Sequence, residues 1–434
     1  MRDSENAALP VAVVGAGPQG LAAAAHLLER GLAPLVFESG PHAGAAVREW
    51  GHVRLFSAWP ELVDAASARL LEPTGWTAPT SGYPTGAEWV RDYLAPLGTA
   101  IEHAHPGALQ YGQRVTAISR RGRDRLVDAD RAKAPFTIHT VDGAGAERRI
   151  EARAVVDASG TWRSPNPAGA DGVPAVGERA AGDPIGHHVP DRERPDRWAG
   201  RHTVVLGSGD SAFTAIGELL AIAREHGGTT VTWAIRRPVG SGTFGGGAAD
   251  ELPRRGALGQ QAKEAVESGA VTLVEGFRLA QVRVDGGRAE LVGEDDRPLD
   301  PADAVVALTG FRPDLSFLSE LRLDLDPTLE APRRVAAEVD PNLHSCGTVQ
   351  ATGATDLAQP EPDFYPVGMK SYGRAPTFLA MTGYEQVRSV VAQLAGDHEA
   401  AARVELSLPD TGVCGGAGLY DAEASQVGAG GCCG

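Results

Sequence analysis

Two glycine-rich turns of one kind, spaced about a domain apart, are the residues here most able to do chemistry. The first is Gly15-Ala16-Gly17-Pro18-Gln19-Gly20, preceded by Val11-Ala12-Val13-Val14. The second is Gly207-Ser208-Gly209-Asp210-Ser211-Ala212, preceded by Thr203-Val204-Val205-Leu206. Each follows a short apolar run and opens an aliphatic helix. The first glycine of such a turn permits the tight bend, the second lets backbone approach a pyrophosphate, and the third lets helix pack on strand. Alanine in the third place, as at Ala212, is a variant that this packing accepts. The helix N-terminus adds unpaired N–H groups and a partial positive charge for phosphates. One turn suggests one dinucleotide; two suggest electron transfer between two.

Their surroundings differ in sign. Glu38 ends the next strand, 18 residues after Gly20, followed by Ser39. A carboxylate there accepts hydrogen bonds from ribose hydroxyls and repels a 2′-phosphate. At the second turn, Trp233-Ala234-Ile235 leads into Arg236-Arg237. Two guanidiniums at that strand end suit the 2′-phosphate of NADPH. A third candidate group is at the C-terminus, where Cys432-Cys433 form a vicinal pair and Cys414 adds a thiol. Soft thiolates take soft, thiophilic ions, and three can surround one trivalent centre. Cys346 stands alone.

The elements that must position these groups repeat a plan. Residues 11–14 read as a buried strand, 18–30 as a helix ended at Gly31, and 34–38 as the next strand. A second set follows: strand 203–206, helix 211–225, strand 230–235. Between them 88–97 reads as a short helix, 115–119, 136–141 and 152–158 as strands, and 163–200 as a connection rich in Pro, Gly and charge. Residues 240–247 hold five glycines and read as a flexible loop. Further strands are expected at 271–275, 281–284 and 304–308, then a long helix over 376–394. From 396 onward the residues are small and polar, so 396–434 reads as a mobile, cysteine-bearing tail.

The bulk properties exclude several classes. The chain has 434 residues, enough for two or three domains, and 42% of them are hydrophobic, enough for ordinary cores. With 40 basic and 56 acidic residues the formal charge is −16, which disfavours nucleic acid or an anionic membrane as partner. No apolar run reaches the roughly 18 residues of a membrane span, and the charged N-terminus has no signal-peptide core. Four cysteines fit a reducing cytosol rather than a disulfide scaffold, so a cytoplasmic location is expected. A homodimer is compatible with the sequence.

On these motifs the chain resembles the two-dinucleotide-domain flavoproteins, over roughly residues 9–395, and within them the class B flavin-containing monooxygenases and their thioredoxin-reductase-like relatives. Three further segments carry the resemblance: Val156-Asp157-Ala158-Ser159-Gly160-Thr161-Trp162, Ala307-Leu308-Thr309-Gly310-Phe311-Arg312-Pro313, and Phe364-Tyr365-Pro366-Val367-Gly368-Met369. The resemblance implies an α/β fold of two Rossmann-like, three-layer ββα domains. FAD would be bound by 1–165 and 311–395, and NADPH by an inserted 166–310. It implies FAD contacts at Gly15, Gly17, Pro18, Gln19, Gly20, Glu38, Ser39, Gly160, Thr161, Gly368 and Met369, with Val115 where backbone meets adenine. Arg54, Ser57 and Trp59 fall where the flavin ring is lined. NADPH contacts are implied at Gly207, Ser208, Gly209, Asp210, Ser211, Arg236 and Arg237.

The segment Ile185-Gly186-His187-His188-Val189-Pro190-Asp191 is a degenerate form of the monooxygenase fingerprint, and Gly44-Ala45-Ala46 replaces the usual Gly-Gly-x-Trp. No Cys-x-x-Cys or Cys-x4-Cys precedes residue 414, so an internal redox disulfide of the reductase kind is not expected. Gly-Gly-Cys-Cys-Gly resembles the vicinal C-terminal cysteines of mercuric reductases, which implies Cys414, Cys432 and Cys433 as ligands of a thiophilic metalloid such as arsenic(III). Three readings stand: an NADPH-dependent FAD monooxygenase acting on a small soft nucleophile, a thiol or metal(loid) reductase using the tail thiols, and a non-enzymatic flavin redox sensor.

Overall fold

The computed structural model describes residues 8–240, 242–247, 250, 252–341, 351–376 and 378–406. In chain order the strands are β1 (Val11–Val14), β2 (Pro34–Glu38), β3 (Leu109–Tyr111), β4 (Gln113–Arg120), β5 (Phe136–Asp142), β6 (Glu147–Ala152), β7 (Ala154–Asp157), β8 (Ile185–Gly186), β9 (His202–Leu206), β10 (Thr230–Ala234), β11 (Thr272–Val274), β12 (Leu279–Asp285), β13 (Arg288–Gly293), β14 (Ala304–Ala307) and β15 (Phe364–Pro366). The principal helices are α1 (Pro18–Glu29), α2 (Asp210–Glu225), α3 (Pro253–Glu267), α4 (Ala380–Leu394) and the short α5 (His398–Ala402). The chain divides into two compact units, residues 8–162, 312–340 and 351–406 in one and 163–311 in the other.

In the first unit a parallel sheet runs β15-β7-β1-β2-β3 and a separate antiparallel sheet runs β4-β5-β6. Strand alternation fixes the layers. Val11 and Val13 face a core shared with Leu21 and Leu27 of α1 and Val387 and Val391 of α4. Ala12 and Val14 face a second core with Val115, Ile118, Phe136 and Ile138 of the antiparallel sheet. Helices, parallel sheet and antiparallel sheet are therefore stacked as α, β and β. The second unit repeats this with a parallel sheet β11-β10-β9-β14-β8 and a hairpin β12-β13. Val205 and Val306 pack with Phe213 and Ile216 of α2, while Val204, Leu206 and Val305 pack with Val282 and Leu291 of the hairpin.

Several elements differ from expectation for identifiable reasons. The helix expected over 88–97 runs on through Gly86–Trp89, Val90–Leu94 and Ala95–Ala104. Pro96 cannot donate to the preceding turn. The Asp92 carbonyl in that turn accepts instead from the Trp76 indole N–H at 2.7 Å, and the middle segment widens to π geometry. β6 escaped the hydrophobic pattern because it is a charged edge strand, which protects against edge pairing. β13 follows a tight turn, Gly286-Gly287, with both φ positive and Asp285 opposite Arg288. The long helix begins at Ala380 rather than residue 376. The tail does not begin at 396: Asp397 caps α5 through Ala400 N–H at 3.1 Å, and Ala400 and Ala401 are buried. Cys346, Cys414, Cys432 and Cys433 lie outside the described residues.

A buried ion triad ties the loop between β4 and β5 to the segment entering β15. Glu361 accepts from Arg120 Nε at 2.7 Å and from Arg131 Nη2 at 2.7 Å, and all three side chains are at most 5% exposed. Burial alone would raise the Glu361 pKa, but the bonds from Arg131 and Arg120 outweigh it and hold it below the ordinary carboxylate range. Its contribution to stability is therefore present above the unfolded-state pKa of about 4.3 and lost as pH falls through the lower folded value. Glu361→Ala strands two buried guanidiniums and is expected to cost about 3–5 kcal/mol. Urea titration at neutral pH checks this, and the deficit should narrow in acid.

Candidate dinucleotide site

The first turn is built at the C-terminal ends of β1 and β2. Gly15 N–H donates to Phe37 O at 2.7 Å, matching the Val14 to Phe37 register. Gly15 has φ of 97°, and a Cβ there would lie 2.8 Å from Ala158 O. A Cβ on Gly20 would lie 1.8 Å from Gly15 O, so the start of α1 rests directly on the turn. Gly17 is different: a Cβ there meets nothing within 4 Å. The first and third glycines are thus demanded by the protein itself, and the second borders open space. That space lies before the N-terminus of α1, where Gly17 supplies no side-chain cap and Pro18 occupies the first turn. The backbone fits a pyrophosphate, which needs close approach and free N–H groups.

Glu38 spans this turn. One carboxylate oxygen accepts from Ala16 N–H at 2.8 Å, the other from Gly40 N–H at 2.6 Å and Ser39 Oγ at 3.3 Å. Ser39 itself is exposed. Gln19 points the other way, into the protein. Its Nε2 donates to Ala380 O at 3.0 Å, and its side chain occupies the room that Cβ atoms on Gly368 and Gly383 would need. Gly368, with φ of 68°, donates its N–H to Gln386 Oε1 at 2.8 Å, and Met369 beside it is half-buried. Gln19 is therefore the peg on which the last segment is seated, and its buried Oε1 has no hydrogen-bond partner among the described residues.

The segment leaving β7 completes this end of the sheet. Ser159 Cα lies 3.2 Å from the position of a Gly15 Cβ, Gly160 has φ of 65°, and Thr161 is buried. Lys370 Nζ pairs with Asp157 Oδ2 at 2.7 Å and donates to Ser159 Oγ at 3.0 Å, with both charged side chains at most 1% exposed. It also lies 4.2 Å from the Phe317 ring centroid. This pair, which joins β7 to the Gly368 segment, was not singled out from the sequence. Its one trace in the sequence is Asp157, a charge closing the apolar strand β7.

Four more of the expected residues lie outside the turn itself. Arg54 is exposed, donating to Tyr83 O at 2.5 Å and facing Glu88 at 3.4 Å. Ser57 is buried, and Trp59 is buried in the main core with Leu62 and Tyr93. Val115 is buried in the core that also holds Phe37, one residue before Glu38.

The second turn reproduces the first. Gly207 N–H faces Ala234 O at 3.5 Å, with Leu206 opposite Ala234. Gly207 has φ of 118°, and its Cβ would fall 2.2 Å from Leu308 O, while a Cβ on Gly209 meets nothing within 4 Å. Ala212 is fully buried, so this turn already accommodates the methyl that Gly20 lacks. Ser208 and Ser211 are exposed. Burial raises the Asp210 carboxyl pKa; Arg255 opposes this and Asp250 adds to it. The matched registers identify Ile235 as the counterpart of Glu38, so no carboxylate stands there. Arg236 follows, exposed, donating to Ala170 O at 3.0 Å, and Arg237 is half-buried.

Among the described residues no group of three or more His, Cys, Asp or Glu side chains could hold a metal ion, and no helix is long and apolar enough to cross a membrane. Residues 9–370 match the family model described as pyridine nucleotide-disulphide oxidoreductase. A ferredoxin–NADP reductase of Salinispora tropica is 30% identical over 325 residues, covering 73% of this chain and 78% of that protein. A solved bacillithiol disulfide reductase of Bacillus cereus superposes with TM-score 0.64 at 19% identity, covering 89% of this chain and 99% of the other. A flavin monooxygenase of Stenotrophomonas maltophilia gives TM-score 0.56 at 21% identity, covering 89% and 98%. With two glycine turns on two matched parallel sheets, the chain belongs to the pyridine nucleotide-disulphide oxidoreductase family and is an oxidoreductase that uses FAD and NADP(H).

Proposed function

We propose that the first turn holds FAD, the second holds NADPH, and the enzyme is a monooxygenase that oxygenates a small soft nucleophile, arsenic(III) being the candidate. The observation that carries the cofactor assignment is the contrast at two register-matched strand ends, Glu38 at one and Ile235-Arg236-Arg237 at the other. Glu38 accepts hydrogen bonds, as ribose hydroxyls require, whereas the second strand end offers guanidiniums for a 2′-phosphate. Bound FAD would take a hydride from NADPH and pass the electron pair on. The chain's own part is to bind and orient: Gly17 and Gly209 border the open approaches, and the Gln19 peg and the Lys370–Asp157 pair hold the late segment in place.

An external acceptor is favoured by cysteine placement, since none of the four is spaced as an internal redox pair near the first turn. Oxygen balances the overall change: NADPH, a proton, O2 and arsenite give NADP+, water and arsenate. Cys414, Cys432 and Cys433 would hold the metalloid as thiolates. A second reading, electron exchange with an acceptor protein, is favoured by the 30% identity to a ferredoxin–NADP reductase; reduction of a thiol or metal ion at the tail cysteines is a third. A cytoplasmic location fits a chain of this length with only four cysteines.

The test is stoichiometry. NADPH, oxygen, arsenite, arsenate and peroxide are followed together, in the full chain and in a chain ended after residue 410. The proposal expects one arsenate per O2 and per NADPH, with a rate that drops at low arsenite when the tail is removed. Quantitative peroxide with no arsenate, or anaerobic turnover with ferredoxin or a disulfide, overturns the oxygenase reading.

A further inference from the structure

Behind the second turn stands a side chain that neither nucleotide motif contains. Trp233, next to the last residue of β10 and fully buried, donates its indole N–H to the Gly207 carbonyl oxygen at 2.6 Å. Its ring is held edge-on by Phe213 of α2 at 6.0 Å and by Phe244 of the glycine-rich segment at 5.9 Å, between centroids. A ring fixed on two sides has little freedom to leave its partner, so the carbonyl is fixed with it.

The consequence follows from peptide geometry. In a trans peptide unit the C=O and the following N–H point in opposite directions. Drawing the Gly207 oxygen inward to Trp233 therefore turns the Ser208 N–H outward, toward the open side of a turn where Gly209 borders free space. The first turn handles the matching unit differently. There the Ala16 N–H is held by the Glu38 carboxylate at 2.8 Å. At the second turn the Glu38 position is Ile235, whose side chain offers no acceptor. One turn is oriented by a carboxylate in front of it, the other by an indole behind it.

We infer that Trp233 is the positioning residue of the second turn. Its indole N–H sets the Gly207–Ser208 peptide so that the Ser208 N–H is presented to the pyrophosphate of the dinucleotide, in a unit that has given up the carboxylate to accept a 2′-phosphate. This inference rests on the second turn holding NADPH. It separates two ends of that ligand: the pyrophosphate depends on Trp233, and the 2′-phosphate depends on Arg236 and Arg237.

The test uses the full-length, flavin-bound protein with Trp233→Phe, which keeps an aromatic ring and loses the donor. NADPH and adenosine 2′-monophosphate, which has no pyrophosphate, are titrated by calorimetry against wild type and variant. NADPH affinity is expected to fall about tenfold, the effect of one lost oriented hydrogen bond. The affinity for adenosine 2′-monophosphate should stay within about twofold. Equal weakening of both ligands would mean that Trp233 merely holds the unit together, and unchanged NADPH affinity would mean that the indole orients nothing; either overturns the inference. Wild type that fails to bind NADPH overturns the underlying assignment and the inference with it. Should Trp233→Phe not fold, site-specific replacement by benzothienylalanine keeps the bicyclic shape without the N–H, and the same two titrations decide.

Discussion

Gly20→Ala is expected to emerge as a destabilised protein without flavin, whereas Gly17→Ala, three residues away, should fold normally and still bind FAD poorly. The two turn glycines are asked for by different things. A methyl on Gly20 would sit 1.8 Å from the Gly15 oxygen and 2.9 Å from its carbonyl carbon. Those are backbone atoms of a turn pinned against β7, so α1 must lift away to make room. Forced overpacking of that kind costs about 3 kcal/mol and displaces the helix N-terminus that faces the phosphates. A methyl on Gly17 meets nothing within 4 Å, and its φ of −78° suits any residue. Its cost in stability is below about 1 kcal/mol, the difference between glycine and alanine as a helix cap. Its cost in binding is the close approach of a pyrophosphate. Thermal unfolding and flavin absorbance per chain separate the two. Equal flavin content in Gly17→Ala and wild type would contradict the placement of FAD.

The double substitution Arg236→Ala with Arg237→Ala is expected to raise the KM for NADPH by at least about a hundredfold and to leave that for NADH nearly unchanged. Each guanidinium contact to a phosphate dianion contributes about 1.5–3 kcal/mol, and removing two abolishes most of the preference for the 2′-phosphate. The NADPH preference of wild type should also shrink as salt rises, because Arg236 is exposed and its field is screened. Initial rates with both dinucleotides at two ionic strengths check this. A parallel loss with NADH would move the arginines from specificity to general binding.

The two turns were legible in sequence because each of their requirements is local. Bend, approach and packing are set by residues within six positions, and the strand that follows has a short, predictable length. Glu38 and Arg236 could be found by counting. Much of what holds the turns in place could not. Gln19 reaches Ala380 across 361 residues, Lys370 reaches Ser159 across 211, and Arg120 reaches Glu361 across 241. No periodicity carries information over such distances. In the sequence Trp233 is one residue of the strand expected over 230–235. Its indole donor acquires a use only when β9 and β10 pair in register. The unbroken helical run through Pro96 depended on Trp76, twenty residues earlier, supplying the donor that proline lacks.

Electrons are expected to enter as hydride at the Arg236-bearing unit and to arrive at the Glu38-bearing one. Anaerobic mixing of the flavin-bound protein with NADPH, and separately with NADH, while following the flavin's visible absorbance, tests this route most directly. Rapid bleaching by NADPH is expected, with much slower bleaching by NADH at equal concentration and loss of that difference in the Arg236→Ala, Arg237→Ala protein. Bleaching that is as fast with NADH, or no bleaching by NADPH at all, would contradict it.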